Sequence, residues 1–282
     1  MNIIEVDSVT KRYANHVALD HITLSIPAGS VFGLLGPNGA GKTSLIRILT
    51  GITAPDSGSV RFMGEPLSGK HTRRMGYLPE ERGLYKKMEV GEQALYLARL
   101  KGLTRQEAMQ RLKYWFEKFG IQSWWNKKVE ELSKGMAQKV QFITTVLHEP
   151  EFIILDEPFT GFDPINAELI KNELLALQKK GCTIVLSTHR MESVEELCSH
   201  IALVNRARVI LKGPVNEVRS GFRTRTFHLR FKGENAAFRS LVAGSADVAA
   251  LIPENGSMMA TLRLHEGAST NDLLAAVIPS FQ

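Results

Sequence analysis

Apolar and polar residues alternate over 3–9 and 22–26, which predicts short strands buried on one face. Val31 to Gly36 is instead a continuous apolar run ending in glycine, the pattern of a strand buried on both faces that feeds a loop. Phe152 to Leu155 and Thr183 to Leu186 repeat that pattern, and helical spacing fills about 165–179 between them. Strand, helix, strand with apolar strands predicts a parallel sheet covered on both sides. Leu45, Ile46 and Leu49 predict a helix over 44–50. A longer helical pattern runs from about Gly91 to Gly120, with Thr104 placed to cap a helix ahead of Glu107. Ser133 to Leu147 predicts another helix, and 200–205 and 207–212 two short strands.

The pattern changes near Ser220. Phe227, Leu229 and Phe231 alternate with polar residues, Leu262 and Leu264 do the same, and helical stretches cover about 234–242 and 268–277. We therefore expect an α/β domain over 1–220, with a helical insertion at about 88–150, and a small α+β domain over 222–282. The second domain carries no motif that reads as chemistry.

The 282 residues are 44% hydrophobic and 23% charged, enough for a packed core without disulfide or metal staples. Cys182 and Cys198 lack metal-ligand spacing and read as reduced packing residues. The chain has no apolar run of roughly 18 residues and no basic segment followed by an apolar one at its start. A cytosolic protein is expected, one that would meet a membrane from its surface. The net charge of +6 is spread among interleaved charges of both signs. That reads as a solvated basic surface, and no nucleic-acid partner is expected.

Gly36-Pro37-Asn38-Gly39-Ala40-Gly41-Lys42-Thr43, followed by Ser44, fits G-x-x-x-x-G-K-[ST] between a buried strand and a helix. Glycines let backbone N–H groups turn inward around phosphates, and the helix adds the positive end of its dipole. Lys42 supplies a full charge near the β- and γ-phosphates, and the Thr43 hydroxyl can ligate magnesium. A second site follows the run Phe152 to Leu155, which ends in Asp156 and Glu157. Carboxylates at the end of a buried strand need a partner. Asp156 is placed to hold Mg2+ opposite Thr43, and Glu157 to polarise the water that attacks the γ-phosphate of ATP.

Leu132-Ser133-Lys134-Gly135-Met136 resembles the LSGGQ signature of the ATP-binding cassette (ABC) transporter family, and it lies about 20 residues before the acidic pair. Tyr13 matches that family's adenine-stacking aromatic, Thr160 to Pro164 its D-loop, and Ser187-Thr188-His189 its switch histidine. The resemblance covers about residues 1–220. It implies a P-loop NTPase fold of ABC type: a mostly parallel core sheet, an antiparallel N-terminal β subdomain and a helical insertion. It also implies two cassettes paired head to tail, with Ser133 and the Gly135 backbone of one donating to the γ-phosphate held by the other. The further partner implied is a separate transmembrane permease.

Two departures stand out. Lys134 and Met136 replace a glycine and the glutamine of the signature, and Lys134 adds a charge near the phosphate. Glu80, in Gly76-Tyr77-Leu78-Pro79-Glu80, stands where the family has glutamine. It would bring a third carboxylate to the metal, either strengthening magnesium binding or tuning coupling. The run from Gly76 to Tyr85, together with the small C-terminal domain, resembles an exporter subgroup that includes sodium-efflux and drug or antibiotic export ATPases. The competing expectation is a soluble ABC ATPase acting on ribosomes, DNA or cluster assembly. Ribosome-acting members carry two cassettes in one chain and DNA-repair members long coiled coils, and neither is present here.

Overall fold

The computed structural model describes residues 1–80, 83–222, 225–254 and 256–278. Glu81 and Arg82, within the run from Gly76 to Tyr85, lie outside the described residues. The chain divides into two compact units, Met1–Asn216 and Glu217–Gln282.

The first unit opens with a long hairpin, β1 (Asn2–Tyr13) and β2 (His16–Pro27), both extending well beyond the expected strands. It continues through β3 (Val31–Leu35), α1 (Lys42–Leu49), β4 (Ser57–Phe62), β5 (Glu65–Pro66) and β6 (Met75–Leu78). The helical insertion holds α2 (Val90–Leu100), α3 (Arg105–Lys118) and α4 (Lys134–Val146). Then come β7 (Phe152–Asp156), α5 (Pro164–Lys179), β8 (Thr183–Ser187), α6 (Met191–Leu197), β9 (His200–Asn205) and β10 (Arg208–Pro214). The helix α7 (Val215–Gly221) begins in this unit and continues into the second.

Two sheets result. One is antiparallel, in the order β2-β1-β4-β5. The other runs β10-β9-β3-β8-β7-β6, parallel throughout except for β10 at its edge. Every residue of β3, β7 and β8 is buried, as unbroken apolar runs demand. One core joins the two sheets across α1: Ile4, Leu24 and Phe62 from the first meet Leu34, Ile154 and Val185 from the second, with Ile46 and Leu49 between.

Local chemistry fixes the helix ends. Thr104 and Glu107 form a reciprocal capping box: the Thr104 hydroxyl accepts from the Glu107 N–H at 3.2 Å, and the Glu107 carboxylate accepts from the Thr104 N–H at 2.8 Å. This box starts α3 and splits the long helical pattern in two. Asp163 caps α5, accepting from the Asn166 N–H at 3.0 Å, with Pro164 in the first turn. Trp115 of α3 and Phe119, which follows that helix, pack against Phe142 of α4 at 6.2 and 5.8 Å, so Trp115 is a packing residue.

The second unit contains β11 (Thr226–Phe231), α8 (Asn235–Val242), β12 (Ala246–Glu254), β13 (Ser257–Leu264) and α9 (Thr270–Val277). Its antiparallel sheet has the order β11-β13-β12. Phe231, Leu262 and Leu264 of the sheet share a core with Phe238 and Val242 of α8 and Leu273 and Val277 of α9. The rings of Phe231 and Phe238 stack at 3.8 Å.

Thr104→Ala removes the cap of α3 while leaving its buried face intact. We expect a loss of about 1 kcal/mol in urea unfolding, and a change within error would show that the box adds nothing to stability.

Candidate functional site

Four strands of the mixed sheet end on one side, and the loops that follow them build a single cavity of about 450 Å3. The loop after β3 supplies Asn38, Gly39, Gly41, Lys42, Thr43 and Ser44. The ends of β6 and β7 supply Glu80, Asp156 and Glu157, and His189 follows β8. Tyr13 enters from the tip of the first hairpin. Placing polar groups at the carboxyl ends of parallel strands lets the strands themselves stay apolar.

The glycine loop is wedged in place. Gly36 (φ 147°) and Gly41 (φ 113°) both adopt backbone angles that side chains avoid. A Cβ at Gly36 would lie 2.1 Å from the Val204 carbonyl oxygen, and one at Gly41 would lie 2.4 Å from that of Ala18. Lys42 is buried, and its ammonium donates to the carbonyls of Gly36 (2.7 Å) and Pro37 (3.1 Å). Those neutral acceptors leave its charge uncompensated, ready for an anion. Gly36, Pro37 and Ala40 shape the loop rather than line the cavity.

The acidic pair divides as its two environments dictate. Asp156 is buried, and that burial raises its carboxyl above the usual carboxylate range; Glu80 and Glu157 add charge of the same sign, and Lys42 opposes them. Glu157 turns away with φ 50°, a left-handed backbone rare outside glycine. Its N–H donates to the Ser187 carbonyl at 2.8 Å, which pins that conformation. Its carboxylate lies 2.7 Å from His189 Nδ1 and accepts from the His189 N–H at 3.2 Å and the Thr188 hydroxyl at 3.4 Å. The loop after β8 thus holds the carboxylate that ends β7.

The chain matches the family model described as ABC transporter over residues 19–160. It belongs to the ABC transporter ATP-binding family. An uncharacterized ABC transporter ATP-binding protein, YhaQ of Bacillus subtilis, is 47% identical over 78% of this chain and 74% of its own length. The Nod factor export ATP-binding protein I of Cupriavidus metallidurans is 35% identical over 77% of this chain and 72% of its own. Among solved structures, an ATP-binding subunit of an ABC transporter superposes with a TM-score of 0.73 at 31% identity, over 78% of this chain and 93% of its own. The cbiO1 protein of Clostridium perfringens, part of the cbiONQ transporter complex, gives 0.67 at 27% identity over 86% and 95%. ATP binding and hydrolysis are the activities of this family, and the fold is its P-loop cassette.

The segment from Leu132 to Met136 that resembles the signature stands apart from the cavity. Ser133 caps α4, its hydroxyl accepting from the Met136 N–H at 3.3 Å, and neither Ser133 nor Gly135 lines the pocket. Gln138, one turn into α4, donates to the Thr160 carbonyl, tying the signature helix to the segment after Glu157.

Two lining residues escaped the sequence reading, His16 and Ala18, and a third, Thr160, was named only as the start of the D-loop segment. His16 pairs directly with Tyr13 across the first hairpin, so recognising that two-residue turn would have found it. Thr160 opens the D-loop segment and could have been included on that ground.

The donor set suits magnesium, a hard cation usually bound by one or two carboxylates plus substrate phosphates. A hydroxyl, Thr43, and a carboxylate, Asp156, face one cavity, and a cation there would relieve the crowding of like charge around Asp156. Among the described residues no three His, Cys, Asp or Glu side chains form a cluster able to hold a metal alone.

Lys42→Ala deletes the one buried ammonium of the loop. Losing roughly 1.5–3 kcal/mol of charge-assisted hydrogen bonding should weaken ATP binding by about 10- to 100-fold in calorimetry. Unchanged affinity would remove the loop from the site.

Proposed function

We propose that this cassette is the motor of an exporter, working in pairs against a separate membrane permease at the cytoplasmic face of the cell membrane. The observation that carries this reading is the division of the site. One cavity gathers the P-loop, both acids, Glu80, His189 and Tyr13, while Ser133 and Gly135 lie outside it. A second cassette, facing the first, is needed to bring a signature to the phosphate.

In this reading Tyr13 stacks on adenine and the loop from Gly36 to Ser44 wraps the phosphates. Lys42 neutralises the β- and γ-phosphates. Thr43 and Asp156 would hold magnesium, which supplies charge neutralisation along the phosphates, and Glu80 stands close enough to adjust that balance. Glu157 accepts a proton from the attacking water, and His189 holds its carboxylate in line. Ser133 and Gly135 of the second copy donate to the γ-phosphate. Nucleotide joins the two copies, and hydrolysis releases them.

Two observations support the membrane partner. Among the described residues no helix is long and apolar enough to cross a membrane. The outer face of α2 also exposes Tyr96 and Leu100, with Tyr85 in edge contact with Tyr96, around a shallow cavity of about 430 Å3. That apolar patch follows the segment bearing Glu80 and suits a short helix from a permease. The name of the Nod factor relative supports export as the direction.

Glu157→Gln should bind ATP and dimerise, yet turn over about 10²- to 10⁴-fold more slowly in a phosphate-release assay. Wild-type turnover would refute Glu157 as the base. The transport reading is tested by recovering the native-level protein from washed membranes in mild detergent. A stoichiometric polytopic protein should co-purify; recovery with ribosomes, or from the cytosol alone, would overturn the permease assignment.

A further inference from the structure

The two outer edges of the small sheet are built differently. β12 is blunted in the ways that proteins use to block strand addition: a register shift between Val248 and Ala250, a proline at 253, and acids at 247 and 254. β11 has no bulge and no proline, and its one Asp, Glu, Lys or Arg, Arg230, is paired within its own chain by Glu254. It pairs with β13 in unbroken register from Thr226 to Phe231, and within the described sheet it pairs on that side only.

The direction of its free groups follows from one bond. The Leu264 N–H donates to the Arg225 carbonyl at 2.8 Å. Arg225, Phe227, Leu229 and Phe231 therefore turn their main-chain groups toward β13, and Thr226, His228 and Arg230 turn theirs outward. Antiparallel self-pairings that keep the apolar side chains on the helix side set outward-facing residues opposite one another, and the one that overlaps the whole stretch 225–231 puts His228 opposite His228 of a second copy.

From this edge we propose that β11 is a dimer interface, pairing across a twofold axis with β11 of a second copy to form one continuous sheet. The side chains agree on both faces. On the helix side, Phe227 falls opposite Leu229 of the other copy; both are half-buried members of the small core, with flanks that the new strand would cover. On the open side, Arg230 falls opposite Thr226, and its charge is already met within its own chain by Glu254 at 2.7 Å. His228 is steadied by Thr261 on the neighbouring strand at 3.2 Å. No like-charged arginines are brought face to face. An isologous contact of this kind closes at two copies and needs no nucleotide. The inference stands apart from the nucleotide-driven pairing proposed above.

The test uses the full chain, freed of nucleotide, in sedimentation across micromolar concentrations. Wild type should run at the mass of two chains. Arg230→Pro removes an outward-facing N–H and leaves the ladder to β13 intact, so it should weaken the dimer about 10-fold or more. Its circular dichroism and ATP affinity should stay unchanged. His228→Cys gives an independent reading, because Cys182 and Cys198 are both buried. A short bis-maleimide should link two His228→Cys chains to each other. A monomeric wild type, a dimer indifferent to Arg230→Pro, or cross-links formed only to a different protein would each overturn the proposal. Retained ATP affinity in any of these cases would leave the cassette reading untouched.

Discussion

Burial of the central strands on both faces is the constraint from which the rest follows. β3, β7 and β8 expose nothing along their lengths. A charged side chain has no place on them except at the point where a strand stops. Asp156 sits at such a point, Lys42 begins the helix after another, and His189 follows a third. The cavity is thus a by-product of packing: these strands can carry charge only at their ends, and all four end at that rim.

The same constraint explains how much was legible beforehand. Unbroken apolar runs mark β3, β7 and β8 in the sequence, and residues at their ends are found without knowing the fold. The cap at Thr104 is local chemistry and reads directly, whereas the cap at Asp163 lies inside the segment read only as a D-loop. Other elements hide for physical reasons. β4 puts only Val60 and Phe62 into the core, so its alternation is thin. β6 has four residues and α6 seven, too few to show a period. In β12 the bulge between Val248 and Ala250 shifts the alternation by one residue midway. His16 joins the site only through the hairpin that brings it beside Tyr13, a relation between strands that no single run of residues reveals.

The charges of the site are arranged in tension. Asp156 resists ionising because it is buried and stands near two other carboxylates, while Glu157 is steadied by donors from the neighbouring loop. Neighbouring acids in the sequence thus acquire opposite surroundings, one buried among charge of its own sign and the other held by a histidine. Glu157 takes its left-handed backbone just where β7 ends, and its N–H donates to the Ser187 carbonyl of the neighbouring strand.

The glycine loop, held between the Val204 and Ala18 carbonyls, has its shape before any ligand arrives. Preorganisation of this kind removes the entropy of ordering a loop from the cost of association. It also makes the loop a gauge of fixed width that cannot adapt to a different anion. The hairpin tip around Tyr13 and His16 is more exposed, so a substitution there meets fewer neighbours than one in the cradle.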